Sequence, residues 1–342
     1  LRIGENTRKI AALLTIAALF APYFISVGFV PMRAAAQAEA PVIVFDMSHG
    51  QYKDTVFDVQ DALLEGNLTE MGFEVVWAWG GINATILDGA WGLIVGSIYS
   101  ESDAFSAAEF TAMKDWFAEG KKFLWVAYDS DYAGKDFIRT NMSLILENAE
   151  SHVYGEPTSI EDPVSNCGSP YRAVANRTST ASAVASIVKD VDAVLMHGPT
   201  LLYGLNSTDD PVPLETVTLP NVYPVLYYGA SAVIVDADLV APLAHTNGLT
   251  GSYVAMSVEV NAGPTDNSVI AVSGASPYGD YMPMTCAQYY GVNLTGYNLV
   301  YQTFGFAKAK LLGGFALDPL LLMGIAGVVV VVIIIAIVAK RR

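Results

Sequence analysis

The stretch Pro41-Val-Ile-Val-Phe-Asp-Met-Ser-His-Gly-Gln51 decides how the rest of the chain is read. Val42 to Phe45 is a continuous apolar run, opened by a proline and cut off at Asp46 by a polar turn containing Gly50. A strand apolar on both faces belongs in the middle of a parallel sheet with helices on each side. Ligands in such sheets gather beyond the carboxyl ends of the strands. That makes Asp46, Ser48, His49 and Gln51 the first candidate binding residues.

The segments that follow repeat the pattern. Residues 54–71 carry Phe57, Leu64, Leu68 and Met71 on one helical side, and Gly72 stops the helix. Residues 73–79 predict a second strand with Val75, Trp77 and Trp79 on one face. Gly80-Gly81 breaks it, and 82–90 reads as an irregular connection. Residues 92–96 are a short buried strand with Ser97 at its carboxyl end. Ser106-Ala-Ala-Glu109 is a capping box, with Phe110, Met113 and Phe117 at helical spacing behind it and Gly120 as the stop. Residues 122–128 predict a fourth strand ending in Asp129-Ser130-Asp131, and 140–149 a further helix. This alternation with short connections predicts an α/β fold, a parallel-dominated doubly wound sheet.

The second half reads differently. Loops dominate 151–177, with Pro157, Pro163 and Pro170. Residues 181–189 predict a short helix, and 193–197 a buried strand running into His197-Gly198-Pro199. The runs at 222–228, 232–236, 253–260 and 268–273 alternate more and carry turn signals, so additional antiparallel strands are expected there. Residues 294–310 predict a closing helix.

The two ends look unlike the body. Residues 10–30 are almost wholly apolar behind Arg2, Arg8 and Lys9, and Ala34-Ala35-Ala36 offers a small-residue cleavage site. That is the layout of a secretory signal peptide or, if uncut, of an N-terminal anchor. Residues 320–339 hold no charge and are followed by Lys340-Arg341-Arg342. As a helix this run spans about 30 Å, the hydrocarbon thickness of a bilayer, and the basic triplet favours the cytoplasmic side. The expected organisation is 1–36 signal peptide or anchor, 37–312 extracellular domain, and 313–342 linker, transmembrane helix and basic tail. Such a chain sits in the cell membrane, single-pass or two-pass, with its main domain outside.

Setting aside the seven basic residues of the ends and Glu5 leaves 11 basic against 33 acidic side chains, a net charge of −22 for the body counted from residue 37 through Asp318. Such a surface repels nucleic acid and offers no basic patch for it, which excludes that class of partner. Asn67, Asn83, Asn141, Asn176, Asn206 and Asn293 each open an Asn-x-Ser/Thr tripeptide, as a glycosylated outer surface would. Cys167 and Cys286 are the only cysteines, and outside the cell a lone pair predicts a disulfide.

Several motifs carry a resemblance. They are Val44-Phe-Asp-Met-Ser-His-Gly-Gln51, Leu93-Ile-Val-Gly-Ser97, Phe105-Ser-Ala-Ala-Glu-Phe110, the run from Glu119 to Ser130, and Ser268-Val-Ile-Ala-Val-Ser-Gly-Ala-Ser276. In this order they resemble the class I glutamine amidotransferase-like (GATase-like) domain, of the prokaryotic membrane-anchored kind, over about residues 41–310. The resemblance implies a flavodoxin-like strand arrangement. Amidotransferases of the family carry a cysteine nucleophile on the tight turn after the strand corresponding to 123–128. Here that turn reads Tyr128-Asp129-Ser130-Asp131, and both cysteines lie elsewhere. A cysteine–histidine mechanism needs a thiolate beside its base. The resemblance therefore implies the fold without the family's activity, and no metal or cofactor is expected.

Other chemistry stays open at this point. Asp46, Ser97, Asp129, Ser130, Asp131 and His197 join Ser48, His49 and Gln51 as candidates because all sit at predicted strand ends. Carboxylates with imidazoles are metal ligands or acid–base groups, and Ser130 with His49 could be drawn as nucleophile and base. The same residue types also cap helices and build turns. Tyr223, Tyr227, Tyr228, Tyr278, Tyr281, Tyr289 and Tyr290 crowd the second half, where aromatics can stack on sugars or peptide groups. The leading expectation is a catalytically inert surface recognition domain for an extracellular solute, a glycan or an envelope protein, beside a transporter or within the envelope. The alternatives are a hydrolytic or metal-dependent ectoenzyme on the Asp/His cluster, and a structural envelope subunit.

Overall fold

The computed structural model describes residues 39–51, 55–98, 100–132 and 136–313. The expected signal or anchor and the expected transmembrane run lie outside the described residues. Among those residues no helix is long and apolar enough to cross a membrane.

Four strands build the first half: β1 (Val42–Asp46), β2 (Glu74–Ala78), β3 (Ala90–Val95) and β4 (Phe123–Ala127). Four more complete the sheet: β5 (Arg177–Thr178), β6 (Val222–Tyr227), β7 (Val254–Ala262) and β8 (Ser268–Ser273). Their order across the sheet is β2-β1-β3-β4-β8-β7-β6-β5. The five strands from β2 to β8 run parallel. The pairs β8–β7, β7–β6 and β6–β5 are antiparallel. The sheet is thus mixed, a parallel half extended by antiparallel strands.

Every residue of β3, β4 and β8 is buried, because both faces are covered. On one face Ile43, Phe45, Ile94, Phe123 and Trp125 pack with Leu64 and Leu68 of α1 (Thr55–Glu70). The closing helix of the chain's described part adds Leu299, Val300 and Phe304 to that face. On the other face Val44, Leu93, Val95, Leu124 and Val126 meet the remaining long helices. A four-residue helix α2 (Ala84–Leu87), capped by the Asn83 side chain, occupies the stretch that reads as irregular. α3 (Ala107–Ala118) brings Met113, Trp116 and Phe117, and α4 (Asp136–Asn148) brings Ile138, Met142, Ile145 and Leu146. The two faces of each strand alternate between the two cores, as a doubly covered sheet requires. α5 (Gly296–Leu312) closes the series.

The loop-rich stretch holds more structure than its prolines suggest. Val153–Gly155 pairs with Leu202–Leu205, Ser159–Glu161 with Ala232–Val235, and Arg172–Ala175 with Val194–His197, all antiparallel. The helix expected over 181–189 is only a 3₁₀ turn, Ser182–Val184, whose N-cap Ala181 offers no capping side chain. Trp79, read as the last residue of the second strand, lies just past its end at Ala78 and is 61% exposed.

The disulfide is a correction. Cys167 and Cys286 are buried as free thiols in one small apolar cluster with Val174, Leu195 and Leu294. Cys286 Sγ is turned to donate to the Gln288 carbonyl at 3.1 Å. Burial, with Cys286 nearby, pushes the Cys167 thiol up to about 11.

Candidate functional site

The turn after β1 folds back on its own aspartate. Asp46 Oδ1 accepts from the Ser48 amide (3.1 Å) and hydroxyl (2.6 Å), and Oδ2 accepts from Gln51 Nε2 (2.7 Å). His49 Nδ1 lies 2.7 Å from the same Oδ2, and His49 Nε2 lies 3.3 Å from Glu109 Oε1. The imidazole also packs on the Phe105 ring at 3.7 Å. Burial disfavours its charged form, but Asp46 and Glu109 outweigh that and hold the His49 pKa above its ordinary value. Burial works the other way on Glu109, where the Ser106 and Ile82 donors and His49 keep the carboxyl below its ordinary value. The capping box of α3 thus doubles as the second clamp on His49. Both ring nitrogens face carboxylates, so His49 is not placed as a base for Ser130.

Strand order reverses between β1 and β3, and this is where a crevice is expected in such a sheet. Tyr278 fills it. Its side chain is fully buried, and its hydroxyl sits 2.6 Å from the Asp46 carbonyl, 3.0 Å from the Ile94 carbonyl and 2.9 Å from the Gly96 amide. The fit is close enough that a Cβ on Gly96 would meet Ser276 Oγ at 2.9 Å and the Tyr278 ring at 3.3 Å. Asp46, His49, Gln51 and Ser97 are all buried around this plug.

An open cavity of about 490 Å³ lies further along, past the end of β4. Asp129 and Ser130 line it from the turn after β4, and Ser159, Ile160 and Glu161 from one short strand. His197, Gly198 and Asp280 also line it, and the exposed Tyr132, Tyr171 and Tyr281 stand at its rim. Backbone bonds fix these walls: Ser130 N donates to the Gly198 carbonyl (2.8 Å), Gly198 N to Tyr171 (2.8 Å), and Ile160 N to Pro199 (2.8 Å). Gly198 sits at φ +55°, a left-handed conformation that suits glycine, and a Cβ there would approach Asp129 Oδ1 at 3.2 Å. The His197 ring stacks on Tyr281 at 5.3 Å and meets Tyr171 edge-on at 5.7 Å. Tyr171 is braced from behind by Arg172, whose guanidinium lies 4.9 Å from its ring and 4.3 Å from that of Tyr290.

Asp131 points away from the cavity. Its Oδ1 accepts from Ser159 Oγ (2.5 Å) and its Oδ2 from the Ala237 amide (2.6 Å). Burial raises its pKa despite these donors. Asp131, Asp236 and Asp238 bring carboxylate oxygens within 4.8 Å of one another, a spacing a metal could use. Asp131 Oδ2 accepts from both the Ala237 and Asp238 amides and so anchors the 236–238 loop, while Oδ1 serves Ser159.

The sequence candidates therefore divide in two. Asp46, Ser48, His49, Gln51 and Ser97 surround the plug, whereas Asp129, Ser130 and His197 line the cavity. Tyr281, noted among the tyrosines, is on its rim. Tyr132, Tyr171 and Asp280 come from loops, and Glu161 from the short strand Ser159–Glu161, none of which a local pattern singles out.

No protein-family model matches the chain, and no curated protein matches it. Among solved structures the chain is similar to the mmIFT52 N-terminal domain, with a TM-score of 0.51 and 14% identity over 78% of this chain and 96% of that one. At that identity the likeness shows a shared fold and nothing more. Looser similarity extends to a ThuA-like protein from Bacteroides uniformis, with TM-score 0.39, 12% identity, and 81% of this chain and 96% of that one covered. A GMP synthase subunit from Thermoplasma acidophilum gives a TM-score of 0.33 and 11% identity over 79% of this chain and 95% of that one.

Proposed function

We propose that this chain is a membrane-anchored recognition domain of GATase-like fold, without catalysis, that binds an extracellular ligand in the cavity between Asp129, His197 and Tyr281. The observation that carries the reading is the cavity itself: about 490 Å³, within the usual range for small-molecule sites, with polar groups converging on it and aromatic rings at its mouth. The GATase-like assignment is supported by the quoted motifs together with the β2-β1-β3-β4 strand order. The apolar runs at 10–30 and 320–339 support anchoring with the acidic body outside. The turn after β4, where the family's nucleophile would stand, holds no cysteine, and its Ser130 turns both amide and hydroxyl to Asp129 Oδ1, at 2.7 and 3.4 Å. A thermal-shift screen of metabolites, sugars and peptides on the full chain tests binding. A ligand whose stabilising effect disappears in Tyr281→Ala supports the reading. Stabilisation unaffected by any cavity substitution would move the site elsewhere.

An ectoenzyme is the second reading, favoured by Asp129, Ser130 and His197 lining one cavity. Turnover of ester or glycoside substrates, abolished by Ser130→Ala or Asp129→Asn without loss of binding, would establish it.

A further inference from the structure

The tyrosine rim narrows what the cavity can take. Tyr132, Tyr171 and Tyr281 are 70%, 42% and 52% exposed, although phenol rings lose water readily when a partner covers them. They come from three separate loops yet surround one opening. Tyr281 is held flat against His197, and Tyr171 is held by Arg172, which also donates to its hydroxyl at 2.7 Å. Two of the three rings are therefore positioned before any ligand arrives, which lowers the ordering cost of binding.

Between these rings the cavity presents acceptors on several sides: carboxylates of Asp129, Glu161 and Asp280, with hydroxyls of Ser130 and Ser159. Among the described residues its lining holds no lysine or arginine. A carboxylate oxygen has lone pairs enough to accept from a ligand hydroxyl even while it serves another donor. An anionic ligand would meet these carboxylates inside a body of net charge −22 and be repelled. A purely apolar ligand would strip water from the half-buried carboxylates of Asp129, Glu161 and Asp280 while offering them no donor in exchange, which costs binding energy. A molecule with an apolar C–H face bordered by many hydroxyl donors satisfies both the rings and the acceptors.

Resting on the recognition reading above, we infer that the cavity binds a neutral saccharide, one sugar face lying on the Tyr281–Tyr171 side and its hydroxyls donating to Glu161 and the neighbouring carboxylates. No bond is made or broken.

The test titrates the full-length chain with neutral saccharides (glucose, galactose, N-acetylglucosamine, maltose and cellobiose), with choline as a cation and with inorganic phosphate, read by saturation-transfer NMR. At least one saccharide is expected to saturate. Tyr281→Ala and the exposed Tyr132→Ala should each weaken it about two- to tenfold, the worth of one aromatic contact. Glu161→Gln, which keeps the shape and one acceptor, should weaken it by a similar factor while the melting temperature stays at the parent value. Choline or phosphate binding with no saccharide binding overturns the saccharide assignment but leaves the cavity a recognition site. Saccharide binding unchanged in all three variants overturns the placement. Binding by none of the probes overturns the saccharide inference, and the broader screen then decides the reading beneath it.

Discussion

His245 makes the stability of this fold sensitive to alkali. Its Nδ1 lies 2.7 Å from Glu156 Oε1 and its Nε2 2.9 Å from Glu215 Oε1, with the imidazole 4% and Glu156 0% exposed. Burial alone would lower its pKa, but the two carboxylates push it up to about 9 from an ordinary value of 6.5. At about 1.4 kcal/mol per pH decade, that rise is worth about 3 kcal/mol as an order of magnitude. The folded pKa lies above the unfolded one, so the stabilisation is complete below about pH 6.5, fades as pH climbs through about 9, and is gone above. The same Glu156 carboxylate accepts from the Leu243, Ala244 and His245 amides, so the cluster also pins the 236–249 loop. Glu215→Gln removes one charge and keeps an acceptor. It should cost about 1–2 kcal/mol at pH 6, where the charge-assisted bond is intact, and close to nothing at pH 10. Urea denaturation of parent and variant at pH 6, 8 and 10 measures the difference, and using the difference cancels other titrations such as that of His152. A penalty equal at pH 6 and pH 10 would refute a charged His245.

Other perturbations separate the remaining claims. Tyr278→Phe should destabilise by about 1–3 kcal/mol, since the buried Gly96 amide then loses its acceptor, and chemical denaturation reads it directly. Gly274→Ala should cost about 3 kcal/mol or more, or prevent folding, because its Cβ would fall 2.1 Å from the Thr200 carbonyl oxygen. Gly66→Ala in α1, with open space around the new methyl, should stabilise by about 0.5–1 kcal/mol in the same assay. Ellman's reagent should find two thiols in denaturant and none reactive in the native protein. A mass spectrum showing a Cys167–Cys286 bond would contradict the free pair.

The parallel half was readable because its signals are local. The Ser106 capping box, the Gly72 and Gly120 stops and the unbroken apolar cores of β1, β3 and β4 each declare an element without reference to distant residues. The second half hides its strands. Val153–Gly155 and Ser159–Glu161 are three residues each and exist only through pairing with chain roughly 50 to 75 positions away, which no short window can show. The site shows the same split. Strand-end logic correctly put Asp46 and Asp129 at carboxyl ends of parallel strands, but not that Tyr278 would occupy the space beside Asp46. Nor could it gather Tyr132, Tyr171 and Tyr281, whose meeting depends on how three irregular loops are stitched.

The plug also sets an order of events for the newborn chain. Tyr278 reaches Asp46 across 232 positions, and β8, which precedes it, is wedged between β4 and β7 in mid-sheet. While the ribosome is still short of residue 268, the parallel half has an unpaired β4 edge and an uncovered crevice beyond the carboxyl ends of the paired β1 and β3. Contacts of such long sequence separation form late and slowly, and an uncovered strand edge invites wrong partners. A chain released before Tyr278 should remain bound to chaperones or aggregate, whereas one released after α5 should fold. The last third of this protein is therefore what permits the first third to become native, and a nested set of truncations assayed by protease resistance would show protection arriving in one step past residue 278 rather than strand by strand.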